Sequence, residues 1–114
     1  MSPYVKTHFS AEMHAARQAF GQGDYADAFA HLERAHILGQ RWFWPHTVSH
    51  GWMLRVGWQM KDRREIIGQL LRLFLTPLGH LTGRLPIGNN GRASVNAFAP
   101  MPVPDDLAVI LQQS

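Results

Sequence analysis

The run from Ala16 to Leu38, ARQAFGQGDYADAFAHLERAHIL, is the part of this sequence that most narrows what the chain can fold into. Apolar residues fall at Ala16, Ala19 and Phe20, stop at Gly21, Gly23 and Asp24, and resume at Tyr25, Ala28, Phe29, Leu32 and Ala35. Steps of three and four residues on both sides of a glycine-rich break indicate two helices joined by a tight turn. Asp24 suits the N-cap of the second helix because its carboxylate can accept from the unpaired amides of the first turn. Asp27 favours the positive end of the dipole, and Gly39 suits the C-terminal stop.

A second, weaker copy appears under a shift of 38 residues, which carries Phe20 to Trp58, Asp24 to Asp62, Ala28 to Ile66, Leu32 to Leu70 and Ala35 to Leu73. Asp62 and Glu65 form an Asp-x-x-Glu start of the capping-box kind, which gives Glu65 a structural role. Pro77 and Gly79 are expected to close this last long helix. The chain therefore reads as all-α: two stacked helical hairpins over residues 1–80, followed by an irregular strap over 81–114 on the same domain.

The strap is predicted from its punctuation. Pro86, Pro100, Pro102 and Pro104 exclude a long helix before Asp105, and Gly88, Asn89, Asn90 and Gly91 tolerate left-handed backbone angles. Leu85, Ile87, Val95, Phe98, Met101 and Val103, spread between the turn residues, suggest short extended pieces lying against the bundle. A final helical turn is expected from Asp105-Asp106-Leu107.

Both hairpins resemble the tetratricopeptide pattern at Gly23, Asp24, Tyr25, Ala28, Leu32 and Ala35. In the second copy Lys61, Arg63 and Ile66 replace the turn glycine, the tyrosine and the alanine. That resemblance implies a protein-interaction role. Over nearly its whole length the chain also resembles an uncharacterised family of short bacterial proteins. The likeness rests on Leu32-Glu33-Arg34-Ala35-His36-Ile37-Leu38-Gly39-Gln40, on Gly68-Gln69 with Arg72, on Pro86-x-Gly88-Asn89 and on Pro100-Met101-Pro102-x-Pro104. It implies a shared domain and carries over no catalytic residue.

Composition then removes chemistries. With no cysteine among 114 residues there is no disulfide, no thiolate zinc site and no iron-sulfur cluster, so any metal must be held by nitrogen and oxygen. Gly-x-Ser-x-Gly and Gly-x-x-x-x-Gly-Lys motifs are absent, which argues against a hydrolase elbow and a phosphate-cradling loop. The net charge of +3 is uneven: residues 39–84 hold Arg41, Arg55, Lys61, Arg63, Arg64, Arg72 and Arg84 against Asp62 and Glu65. Without a nucleic-acid motif this reads as a solvated basic face, and no nucleic acid is expected as a partner. No apolar run is long enough to span a bilayer and no export segment is recognisable, so the expectation is a cytoplasmic protein with no membrane partner.

The seven histidines carry the functional signal. His46 and His50 lie one helical turn apart, so both imidazoles can face one ion, and Glu33 with His36 repeats the Glu-x-x-His spacing by which bundles present ligands inward. His8 and Glu12 occupy the places of His46 and His50 under the 38-residue shift. The end of the second helix and the start of the third must be close, and parallel first and third helices would bring His8 and Glu12 to the same end. The leading expectation is thus a divalent transition metal (Zn, Fe, Ni, Cu or Mn) held by Glu33, His36, His46 and His50 with His8 and Glu12 completing the set. Metal homeostasis or resistance is the expected setting. His31 is expected to lie apart, and His14 and His80 are read as structural or surface residues. The alternatives are a non-enzymatic interaction module, pairing as a homodimer or with a protein partner through Trp42, Phe43, Trp44, Trp52 and Trp58, and a small dinuclear metalloenzyme.

Overall fold

The computed structural model describes residues 1–113. Helices α1 (Pro3–Gly21) and α2 (Tyr25–Gly39) form one hairpin, α3 (Phe43–Gln59) and α4 (Arg63–Thr82) a second, and α5 (Asp105–Leu111) follows the strap; no strand occurs among the described residues. The hairpins stack through α2 and α3, and α5 packs on α1 and α2.

Each long helix but α3 starts at a side-chain cap. Ser2, Asp24 and Asp62 accept from the amides of Val5, Asp27 and Glu65 at 3.2, 3.1 and 3.1 Å. These bonds satisfy one of the four free donors at each helix start. The two hairpin turns are the same turn. The Asp24 amide donates to Ala19 O and the Asp62 amide to Gly57 O, while Gly23 and Lys61 donate to Phe20 O and Trp58 O. Gly23 has φ +76° and Lys61, at the matching position, φ +56°. Lys61 therefore holds the left-handed conformation that glycine adopts without steric cost.

The core lies between the hairpins. Met13, Ala16 and Ala19 of α1, Ala28, Phe29, Leu32 and Ala35 of α2, and Met53 and Val56 of α3 form one buried cluster, with Phe9, Phe20, Tyr25 and Trp52 packed against it. A second cluster joins Ile37 and Leu38 to Leu107 of α5. At about 25 cal/mol per Å² of apolar surface, each fully buried large side chain contributes about 1.5–3 kcal/mol.

Helix α4 departs from the repeat. Leu32 is buried, but its counterpart Leu70 is exposed, and the residues α4 buries are Glu65, Gln69, Arg72 and Thr76. The strap explains the inversion, because its backbone runs against this face. Gln69 Nε2 donates to Gly91 O at 2.8 Å, Arg72 donates to Val95 O at 2.6 Å, and the Ala93 amide donates to Glu65 Oε2 at 3.1 Å. A helix facing bare backbone amides and carbonyls must offer polar partners to them. On the other side of the strap, Gln40, the residue that follows α2, donates to Pro86 O at 2.6 Å and accepts from the Gly88 amide at 3.1 Å. Arg92 joins the two walls: its guanidinium lies 3.6 Å from the Phe29 ring centroid, and it pairs with Glu33 at 3.5 Å and Glu65 at 2.7 Å.

One sequence expectation needs correction here. Pro77 does not end α4; the helix continues to Thr82 and stops at Gly83, whose φ is +76°. The extra turn carries His80 alongside the start of α3.

Candidate metal centre

His36 sits in the last turn of α2, and His46 and His50 sit on consecutive turns at the start of α3, so the short α2–α3 connection brings the three rings together. All three are buried. His50 Nε2 lies 3.1 Å from His36 Nε2 and 3.2 Å from His46 Nε2, and one ligand nitrogen from each ring falls within 4.8 Å of the others.

What surrounds the rings decides which nitrogen is free. His36 Nδ1 lies 2.7 Å from the carbonyl of Asn89, which can only accept, so Nδ1 carries the hydrogen. His50 Nδ1 lies 2.7 Å from Gln69 Oε1. The Gln69 amide cannot be reversed, because its nitrogen donates to Glu65 Oε2 at 2.7 Å and to Gly91 O at 2.8 Å. His50 Nδ1 must therefore donate as well. Assigned in this way from the network, neutral His36 and His50 both present a bare Nε2 lone pair to the other at 3.1 Å. Lone pairs at that distance repel unless a cation lies between them. His46 Nδ1 faces His80 Nε2 at 2.9 Å, which gives the third ring its own orienting partner.

The imidazoles are kept neutral. Burial, followed by the charge of His50 and then His80, takes His46 down to about 3. Burial also takes His50 to about 4, against the opposing effect of the hydrogen bond it donates to Gln69 Oε1. His36 is pushed well below the usual histidine range by burial and then by His50 and His46. Metal–nitrogen bonds of about 2.0–2.1 Å at tetrahedral angles set neighbouring nitrogens about 3.3–3.4 Å apart, and at right angles about 2.9 Å apart. The two spacings from His50, 3.1 and 3.2 Å, lie between these values and fit a first-row divalent ion, while the third side of the triangle is bounded at 4.8 Å, so His36 and His46 close slightly on an ion that all three share.

The structure leaves the other sequence candidates outside this group. Glu33 lies on α2 beside His36, but Arg92 of the strap engages it, and burial raises its carboxyl above the usual range against that cation. Glu12 faces α2 on the side that carries α1 and α5: His31 Nδ1 and Arg34 Nε both lie 3.2 Å from its oxygens, and Arg34 also pairs with Asp106 of α5. His8 stacks edge-on against Tyr4, with ring centroids 4.8 Å apart. Glu12 is thus turned to the side of α2 that carries His31 and Arg34, and His8 to Tyr4 of its own helix, so neither meets His36.

A family model described as "Protein of unknown function (DUF3703)" matches residues 3–111. The chain belongs to the DUF3703 family. No curated protein and no solved structure matches it.

In this DUF3703 chain the orienting residues carry no sequence signal of the usual kind. Gln69 and Asn89 are uncharged, and Asn89 acts through its backbone carbonyl while its side-chain amide ties the strap to Asn96 O and Ala99 O, both at 2.8 Å. Gly91, at φ +83°, approaches His36 so closely that a Cβ there would lie 2.8 Å from His36 Cδ2. The strap meets the histidines through Asn89 and Gly91, and α4 meets them through Gln69.

Proposed function

We propose that the protein binds one divalent transition-metal ion through Nε2 of His36, His46 and His50. The observation that carries this reading is the pair of bare Nε2 atoms of His36 and His50 held 3.1 Å apart by fixed donors on their far sides. A shared proton would also relieve the contact, but burial disfavours protonating these rings at neutral pH, which leaves a metal ion as the cation. Three neutral imidazoles suit Zn(II), Ni(II), Cu(II) or Fe(II), whereas Mn(II) favours carboxylate and water oxygens. The engagement of Glu33 by Arg92 and of Glu12 by His31 and Arg34 supports a mononuclear site over a dinuclear one. Three protein ligands leave a coordination position open, and retention of a scarce or toxic ion for homeostasis or resistance is the role that fits. Elemental analysis of protein purified without a histidine tag, with calorimetric titration of Zn(II), tests it. One ion per chain, lost in His50→Ala, is expected; metal-free protein that takes up no added ion would overturn the reading.

A second reading is independent of the metal. Helix α4 turns Ile67, Leu71, Phe74, Leu78 and Leu81, with Leu70 beside them, to solvent, and Phe74 and Leu81 are 72% and 83% exposed. Alternating steps of four and three are the spacing of a two-helix seam. Together these side chains expose on the order of 700 Å² per chain, close to the share each partner contributes to a standard interface. We propose that a second copy of the chain covers this stripe. The flanking Lys61, Arg63, Arg64 and Arg84 would be brought near their own copies, so added salt should strengthen the dimer. Sedimentation at low and high salt tests this: a dimer abolished by Phe74→Glu is expected. A monomer at all concentrations, or an association weakened by salt as for an acidic partner or an anionic bilayer, overturns it.

A further inference from the structure

The three histidines line a cavity of about 260 Å³ that lies between α4 and the strap. Its walls are largely apolar, including Leu75 and Leu78 from α4 and Leu85, Ala97 and Phe98 from the strap, and the lining holds Arg72 and Arg84 but no carboxylate. An ion bound to three neutral nitrogens keeps its full double charge, and Arg84 together with Arg72, which Glu65 partly offsets, adds to the positive potential of the lining. A buried charge left uncompensated is costly, so the open position calls for an anion. The remaining walls call for hydrocarbon. The cavity is also smaller than the roughly 300–1,000 Å³ typical of drug-sized ligands. We infer that the cavity binds a small monoanion, an alkyl carboxylate in its simplest form, with its head on the metal at the histidines and its tail along Leu75, Leu78 and Phe98.

This inference rests on the metal reading, and the two can fail separately. Co(II) reports both, because its visible absorption depends on coordination number and on the identity of the added ligand. Protein loaded with Co(II) is titrated with acetate, butyrate, hexanoate and octanoate, and the spectral change gives an affinity for each. Each added methylene buried in the pocket should tighten binding up to about fourfold until the cavity is filled. Ala97→Leu narrows the cavity and should end the rise at a shorter chain; Phe98→Ala, which removes a wall instead, should flatten it, and serves if the first variant fails to fold. Equal affinities for all four carboxylates, or no spectral change with any of them, overturn the anion-and-tail inference while the Co(II) spectrum keeps the metal reading standing. Absence of a Co(II) spectrum in the wild type overturns both.

Discussion

Acidifying the metal-free protein should unfold it from near pH 6.5 downward, well above the carboxylate range. His36, His46 and His50 are all held neutral in the fold, so the unfolded chain binds more protons than the native one at any pH below the ordinary histidine value of about 6.5. Because the folded values are depressed, the native state loses stability as pH falls from about 6.5 toward the folded values of about 3 for His46 and about 4 for His50. Each pH unit costs about 1.4 kcal/mol per group, so His46 and His50 together lose about 5 kcal/mol between pH 6.5 and 4.5. His36 adds a loss of the same sign. Glu33, raised by burial, acts in the opposite sense, but only as pH approaches the carboxylate range. A loss of about 5 kcal/mol is comparable to the whole stability of many domains. Urea denaturation in chelator, followed by tryptophan fluorescence at pH 7.0, 6.0, 5.0 and 4.5, should show the midpoint falling steadily below pH 6.5. A midpoint constant from pH 6.5 to 4.5 would refute the claim that three buried neutral imidazoles meet at this site.

Gln69→Met keeps the volume and removes the acceptor that fixes His50, so Zn(II) affinity by calorimetry should fall about 10- to 100-fold, the usual cost of losing an orienting partner. The same variant also leaves Glu65 without its Gln69 donor and should lower stability by at least about 2 kcal/mol in thermal denaturation. Gly91→Ala requires a side chain at φ +83° against the His36 ring, so it should cost about 2 kcal/mol or more and weaken Zn(II) binding. Lys61→Gly relieves the left-handed strain at φ +56° and should stabilise the fold by about 0.5–1 kcal/mol, raising the melting temperature by a few degrees without altering metal affinity.

The parts of this molecule that depend on neighbouring residues were readable from the sequence. The Gly23-Asp24 turn, its counterpart at Lys61-Asp62, the caps at Asp24 and Asp62 and the one-turn spacing of His46 and His50 all follow from local rules, and the turns repeat bond for bond. What could not be read depends on the strap. Glu33 has helical spacing suited to joining His36, but a cation far along the chain, Arg92, takes it instead. His80 has no partner at ligand spacing along the chain, and it meets His46 because α4 runs through Pro77 to Thr82. Arg72 counts in the sequence toward a solvated basic face, and Gln69 carries no expectation beyond the family likeness. They turn inward because the strap backbone, not an apolar surface, covers that side of α4.

X-ray absorption at the zinc edge of the loaded protein tests the central claim most directly. Three imidazole nitrogens at about 2.0–2.1 Å, with one further light ligand, are predicted, and the imidazole scattering should diminish in His36→Ala. A spectrum of oxygen ligands with fewer than three imidazoles, unchanged by that substitution, would contradict it.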